Sequence, residues 1–266
     1  MAYDQGWALQ VRDGLAPAPL SGFGDLMQAW SESGFSAAKS ESRIRDENKS
    51  ACQCSEKMSE DPYKRVAGFY DRLFEPMNRG LRVLGFRMFM PRRGGAVLDV
   101  GCGTGLHLEM YQRYSCKLYG IDTSRSMLEL ANARLGESAE LRLADAIQMP
   151  YESGFFDLVI FMLALHEMDE STRGKVIGEI KRVIKRDGRI LFIDFHPGSP
   201  RSFDGWRTKL VILLSEVAAG RRHFRNYRHF ISIGGLRHLI EASKLPIEKE
   251  KIVGDDTMAL YLLRAS

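Results

Sequence analysis

Between residues 96 and 194, short and mostly apolar runs alternate with longer amphipathic stretches, and few architectures accept that pattern. Residues 96–100, 117–121, 139–143, 156–161 and 189–194 read as strands. Residues 104–114, 124–135 and 170–185 read as helices, the last with Val176, Ile177, Ile180, Val183 and Ile184 on one face. Asp187-Gly188 reads as the turn into the fifth strand. Apolar strands alternating with helices predict a parallel sheet covered on both faces. Right-handed crossovers then make it doubly wound, with the ligand crevice beyond the carboxyl ends of the strands. Upstream, residues 63–74 and 77–90 read as two helices. Downstream, 234–243 reads as a helix and 247–253 and 258–263 as strands.

The first sixty residues lack this order. Serine, glycine, alanine and charge dominate them, and residues 31–60 show no apolar periodicity. They are expected to be a disordered extension, with the globular domain over 61–266 and a substrate-lid insertion at about 196–230. Cys52 and Cys54 are two thiols with no partner pair at zinc-site spacing, so no metal site is expected. Four cysteines without framework spacing, no secretory signal and no membrane-spanning stretch predict a soluble, cytoplasmic protein. Residues 1–60 carry a net charge of −3 and the remainder +7. Such a basic surplus concentrates anionic partners without naming them.

The sharpest local signal is VLDVGCGTG at 97–105. Glycines at a strand-to-helix turn let a ligand approach the backbone and the free N–H groups of the next helix. The spacing is G-x-G-x-G, and Leu106 stands where a dinucleotide fingerprint has glycine or alanine. Asp99, two residues before the first glycine, repels a pyrophosphate and attracts an ammonium. The next strand ends in Ile121-Asp122, placed for ribose hydroxyls, though Asp122 before a helix is also a candidate N-cap. One strand later comes Asp145, placed for the exocyclic amine of an adenine. An ammonium, a ribose, an adenine and no phosphates together fit the three acids.

With these motifs the chain resembles the class I S-adenosylmethionine-dependent methyltransferases, over roughly residues 63–264. The resemblance rests on VLDVGCGTG at 97–105, LYGIDTSRSMLELA at 118–131, LRLADAIQMPYESGFFDLVI at 141–160 and RVIKRDGRILFIDF at 182–195. It is nearest the ubiquinone/menaquinone C-methyltransferase and phospholipid N-methyltransferase branch, whose Tyr-Asp element matches Tyr70-Asp71. The resemblance implies a Rossmann-like, seven-stranded, mostly parallel sheet of order 3-2-1-4-5-7-6 with strand 7 antiparallel. It also implies S-adenosyl-L-methionine as cofactor. Asp99, Gly101, Cys102 and Gly103 would hold its methionine portion, and Asp122 the ribose. Thr123 and Met127 would border the adenine, Asp145 and Ala146 fix its amine, and Leu163 contact it from the fourth strand. Tyr70 would close over the methionine end. Lys185-Arg186-Asp187-Gly188 departs from the family's Pro-Gly-Gly turn.

His166, just past the fourth strand, is the candidate general base, with a packing role as its plain alternative. His196 faces the same rim. The acceptor is expected to be a small molecule or a lipid- or quinone-like compound, with a catalytically silent binding module as the alternative. Trp206, Leu210, Leu213, Leu214 and Val217 form a helical stripe in the insertion, and Leu81, Leu84, Phe86 and Met88 interleave with Arg79, Arg82 and Arg87. Both stripes are expected to cover the sheet with their arginines solvated; the alternative is peripheral contact with a membrane surface. Nucleic acid is not an expected partner.

Overall fold

A computed structural model describes residue 61 and residues 67–265. The expected disorder of 1–60 lies outside the described residues. The elements run α1 (Ala67–Met88), β1 (Ala96–Val100), α2 (Leu106–Glu109), β2 (Lys117–Asp122), α3 (Arg125–Leu135), β3 (Ala139–Leu143) and β4 (Phe156–Met162). They continue with α4 (Glu170–Val183), β5 (Ile184–Phe195), α5 (Phe203–Ala218), α6 (Arg221–Ser232), α7 (Gly235–Ala242), β6 (Ile247–Val253) and β7 (Met258–Arg264). The sheet has the order β3-β2-β1-β4-β5-β7-β6. Strands β1 to β5 pair in parallel, and β7 runs antiparallel to both β5 and β6.

Burial explains the arrangement. All five side chains of β1 are buried, as are six of the seven in β7. The central strands are therefore covered on both faces, which is why their sequences run apolar instead of alternating. Helix α4 contributes Val176, Ile177, Ile180 and Val183 to the same core.

Three local expectations change. The residue pattern predicts separate helices over 63–74 and 77–90, yet α1 runs unbroken through Pro76. An internal proline costs a helix about 3 kcal/mol, and here α1 has α3, β5 and β7 to pack against. The expected helix 104–114 is a single turn, α2, followed by a 3-10 turn at Gln112–Tyr114 that ends at left-handed Ser115. Asp187-Gly188 is no turn between elements: β5 starts at Ile184, and its pairing with β4 jumps from Phe156↔Ile184 to Leu158↔Arg189. A bulge absorbs the extra residues without ending the strand.

Candidate active site

The carboxyl ends of β1 to β4 open into one cleft. Asp99, Gly101, Cys102, Gly103, Asp122, Thr123, Met127, Asp145, Ala146 and Leu163, all expected from sequence to face a cofactor, line it together. The glycine turn builds its floor. Gly101, Gly103 and Gly105 have φ of 71°, 52° and 79°, a region that side chains other than glycine enter at a cost. Gly105 also has no space, since an added Cβ would stand 2.8 Å from Leu135 Cδ1. The N–H groups of Gly101 and Cys102 both donate to Ile121 O, at 2.8 and 3.0 Å, which pins the turn to β2.

The three acids differ in environment. Asp99 is 3% exposed. Burial pushes its carboxyl up to about 7, against the pull of the Arg82 guanidinium and with a push from Asp122. A buried carboxyl of this kind is stabilised by any cation brought beside it. Asp122 accepts from the N–H of Gly103 and of Ser124, each at 2.8 Å. Burial raises its pKa while these hydrogen bonds lower it. Each of its oxygens keeps lone-pair capacity for a hydroxyl donor. The N-cap of α3 is Ser124, which accepts from the Met127 N–H at 3.1 Å. Asp145 is exposed and accepts from the Ile147 N–H at 3.1 Å, a short local turn that aims its carboxylate. At the far wall Leu163 has φ 54° and donates to Ile193 O at 2.8 Å. A leucine held left-handed turns the chain sharply out of β4 and into the cleft.

Helix α1 closes one side. Asp71 accepts from Thr104 Oγ1 at 2.5 Å and from Arg134 Nη2 at 2.6 Å, tying α1 to the glycine turn and to α3. Tyr70 stands one residue before it, and its side chain lies outside the described residues. Asn78, Arg82, His107, Glu167 and Met168 also line the cleft, none of them assigned to the cofactor from sequence, and Arg82, expected to be solvated, has a side chain only 12% exposed. Arg82 is ion-paired with Glu75. His107 is 3% exposed, and among the described residues neither ring nitrogen has a hydrogen-bond partner. Burial and the Arg82 charge hold it neutral, with a pKa lowered to about 3. The basic, apolar pattern of α1 hinted at Arg82; nothing local in the sequence points His107 inward.

His166 does not line the cleft, although its neighbour Glu167 does. Its ring is 3% exposed, with Nδ1 2.7 Å from Asp194 Oδ1. Burial alone would drive the proton off, but the charge and hydrogen bond of Asp194, joined by Glu216 and Glu167, raise the pKa to about 9. With Nδ1 engaged by Asp194 and the ring off the cleft, His166 is not placed to take a proton from an acceptor there. His196 is likewise off the cleft: Nδ1 lies 3.1 Å from Asp256 O and accepts from the Gly198 N–H at 3.2 Å.

The stretch expected to form an insertion contains helices α5 and α6. Arg173, fully buried on α4, donates to Leu165 O and to Asn226 O, each at 2.9 Å. Asn226 in turn donates to Glu167 O at 2.7 Å. Helix α6 is thus clamped to the loop after β4. Helix α5 corrects an expectation. Phe203 is 79% exposed, Trp206 56%, Leu210 55% and Val217 50%, with Leu213 and Leu214 also exposed. The apolar stripe faces out and Glu216 faces in. By contrast, on α1 Leu81 and Met88 are buried, and Leu84 and Phe86 pack on the core. No helix among the described residues is long and apolar enough to cross a membrane.

Comparison with known proteins gives a consistent result. A family profile described as "Methyltransferase domain" matches residues 98–192. The chain is 30% identical over 187 residues to the demethylmenaquinone methyltransferase of Lactococcus lactis, covering 65% of this chain and 73% of the relative. It is 35% identical over 107 residues to the phosphatidylethanolamine N-methyltransferase of Cereibacter sphaeroides, covering 38% of this chain and 51% of that one. Among solved structures, the PH0226 protein from Pyrococcus horikoshii superposes with a TM-score of 0.58 at 21% identity, covering 76% of this chain and 97% of that one.

Proposed function

Because the chain belongs to the S-adenosylmethionine-dependent methyltransferases of class I, we propose that it methylates a quinone- or lipid-like acceptor presented at a membrane surface. The observation that carries the membrane reading is helix α5. A lid that leaves Phe203, Trp206, Leu210 and Val217 in solvent, with exposed Arg207 among them and half-buried Lys209 over the Trp206 ring, has the make-up of an interfacial helix. Names of relatives agree in kind, since one methylates demethylmenaquinone and another phosphatidylethanolamine. A catalytically silent binding module finds no support among these relatives.

The cleft residues fit the cofactor. Asp99 would meet its ammonium, with Arg82 and Asn78 on the same side. Gly101, Cys102 and Gly103 would let it pass close to the backbone. Asp122 would accept from the ribose hydroxyls while still holding the N–H groups of Gly103 and Ser124. Asp145, with Ala146, would accept from the adenine amine, and Met127 with Thr123 would flank the ring. When bound, the cofactor supplies a methyl group already activated by a sulfonium. The chain's task is then chiefly alignment, and alignment alone contributes ~7–11 kcal/mol in favourable cases. Leu163, Glu167 and Met168 shape the wall from which an acceptor would approach.

The test is direct. The full chain is incubated with S-adenosylmethionine carrying a labelled methyl group and with vesicles containing demethylmenaquinone or phosphatidylethanolamine. Label in the extracted lipid phase is the expected result. Label transferred only to water-soluble acceptors would overturn the membrane reading.

A further inference from the structure

Helix α5 buries one acid and exposes its oily side, and the buried acid has company. Glu216 is 6% exposed, and it stands between His166 of the β4 loop and His223 of α6. The donor atoms of these three residues all lie within 4.8 Å of one another. His166 Nε2 is 3.7 Å from Glu216 Oε1 and 3.9 Å from Glu167 Oε1, too far for hydrogen bonds. Among the described residues Glu216 Oε2 is buried without a hydrogen bond of good geometry, although His223 Nε2 pairs with it at 2.6 Å. Two imidazole nitrogens thus converge on one buried carboxylate, His223 Nε2 paired with Oε2 at 2.6 Å and His166 Nε2 facing Oε1 at 3.7 Å.

We propose that His166, Glu216 and His223 form a binding site for a divalent transition-metal ion of the zinc type. Two ligands each about 2.0–2.1 Å from a tetrahedral ion stand roughly 3.3 Å apart. Reaching that separation takes a small contraction of the 3.7 Å between His166 Nε2 and Glu216 Oε1 and a widening of the 2.6 Å between His223 Nε2 and Glu216 Oε2. Imidazole and carboxylate donors suit zinc better than magnesium or calcium, which take all-oxygen sites. The outer shell is also in place. Asp194 holds the Nδ1 of His166 at 2.7 Å, the carboxylate–histidine pairing that leaves Nε2 to face a metal. The Asp194 carboxylate is itself fixed by the N–H groups of Leu165, His166 and Phe195, at 3.1, 3.2 and 2.8 Å.

The ligands come from three elements, so the ion would lock the lid helices α5 and α6 onto the loop after β4. Three protein ligands leave a coordination position for water. Glu167, whose carboxylate faces His166, lines the cofactor cleft and makes the two sites neighbours.

The test uses the full chain carrying Cys52→Ser and Cys54→Ser, so that those thiols take no metal. After chelation and dialysis, the protein is titrated with Zn2+ by calorimetry and with Co2+ by visible absorption. One ion per chain is expected, with the intense Co2+ bands of a four- or five-coordinate site. His223→Gln and Glu216→Gln should each weaken Zn2+ binding about 30-fold or more, since even an outer-shell partner is worth 10–100-fold. His223 lies near the surface, so its variant is the one expected to fold normally, and unchanged S-adenosylmethionine affinity would verify that. Zn2+ affinity unchanged in a folded His223→Gln protein, or no stoichiometric binding by the parent, would overturn the proposal. Neither result depends on methyl transfer, so the proposal stands or falls apart from the acceptor reading.

Discussion

Asp194 at the end of β5 accepts the Nδ1 proton of His166 at 2.7 Å, and the same carboxylate receives the N–H groups of Leu165 and His166 on one oxygen and of Phe195 on the other. One buried side chain thereby sets the path of the chain where β4 leaves the sheet. Asp194→Asn puts an amide donor against these donors. The loss is expected at about 3–5 kcal/mol, the cost of breaking a buried charged pair. Urea denaturation monitored by circular dichroism measures it.

Asp99 is expected to set cofactor affinity and its pH dependence. A carboxyl raised from 3.8 to about 7 binds its proton more tightly in the folded chain than in the unfolded one. Ligand-free stability therefore falls as pH climbs from about 4 through about 7, the sign opposite to that of a salt-bridged acid. An ammonium ligand favours the ionised form, so S-adenosylmethionine affinity should rise over the same interval. Asp99→Asn should weaken binding on the order of tenfold to a hundredfold, flatten that pH profile and leave the fold intact. Calorimetric titration at pH 5.5, 7 and 8.5 tests both halves.

Arg173 is the clamp between α4, the β4 loop and α6. Arg173→Met removes the donors to Leu165 O and Asn226 O and the stacking over Phe230, whose ring centre is 5.1 Å from the guanidinium carbon. Each carbonyl loses its charged donor, Leu165 O keeping only the Met168 N–H at 3.3 Å, and the loss should cost about 2–4 kcal/mol. Hydrogen exchange should accelerate in α5 and α6 while β1 and β4 keep their protection; uniform acceleration would argue against a local clamp.

Trp206 and Leu210 are more than half exposed on the outer face of α5. The double variant Trp206→Ser, Leu210→Ser should fold normally and bind S-adenosylmethionine as the parent does. Its affinity for anionic vesicles should drop about tenfold to a hundredfold, as expected for two partly inserted apolar side chains. Vesicle co-sedimentation gives the answer, and unchanged partitioning would assign this face to another partner.

Gly105 should not accept even alanine. Its φ of 79° and the 2.8 Å approach of Leu135 Cδ1 to an added Cβ both oppose the change. Gly105→Ala is expected to cost about 1–3 kcal/mol through combined strain and overpacking. Loss of cofactor affinity should accompany the drop in Tm measured by scanning calorimetry.

The order of strands along the chain, the glycine turn and the acids Asp99, Asp122 and Asp145 are legible in the amino-acid sequence by itself, because each is a local signal. Apolar runs report burial on both faces, and a glycine-rich strand end reports a turn that only glycine makes easily. In a doubly wound sheet these ends share one rim, so local signals are enough to assemble the cleft. The Lys185–Gly188 stretch reads locally as a turn, and only its pairing with β4 shows it to be a bulge. Tertiary structure alone decided the rest. His166, Asp194, Glu216 and His223 meet across the β4 loop, β5, α5 and α6, and no periodicity links residues so far apart in the chain. It also decided which way α5 faces. The helical spacing of Trp206, Leu210, Leu213, Leu214 and Val217 declares an apolar side, and a core was its expected neighbour. The interior instead took Gly205, Ile212 and Glu216, because α5 packs on α6 with Glu216 turned toward His166 and His223. A sequence specifies the face of a helix; only the packed fold specifies what lies opposite it.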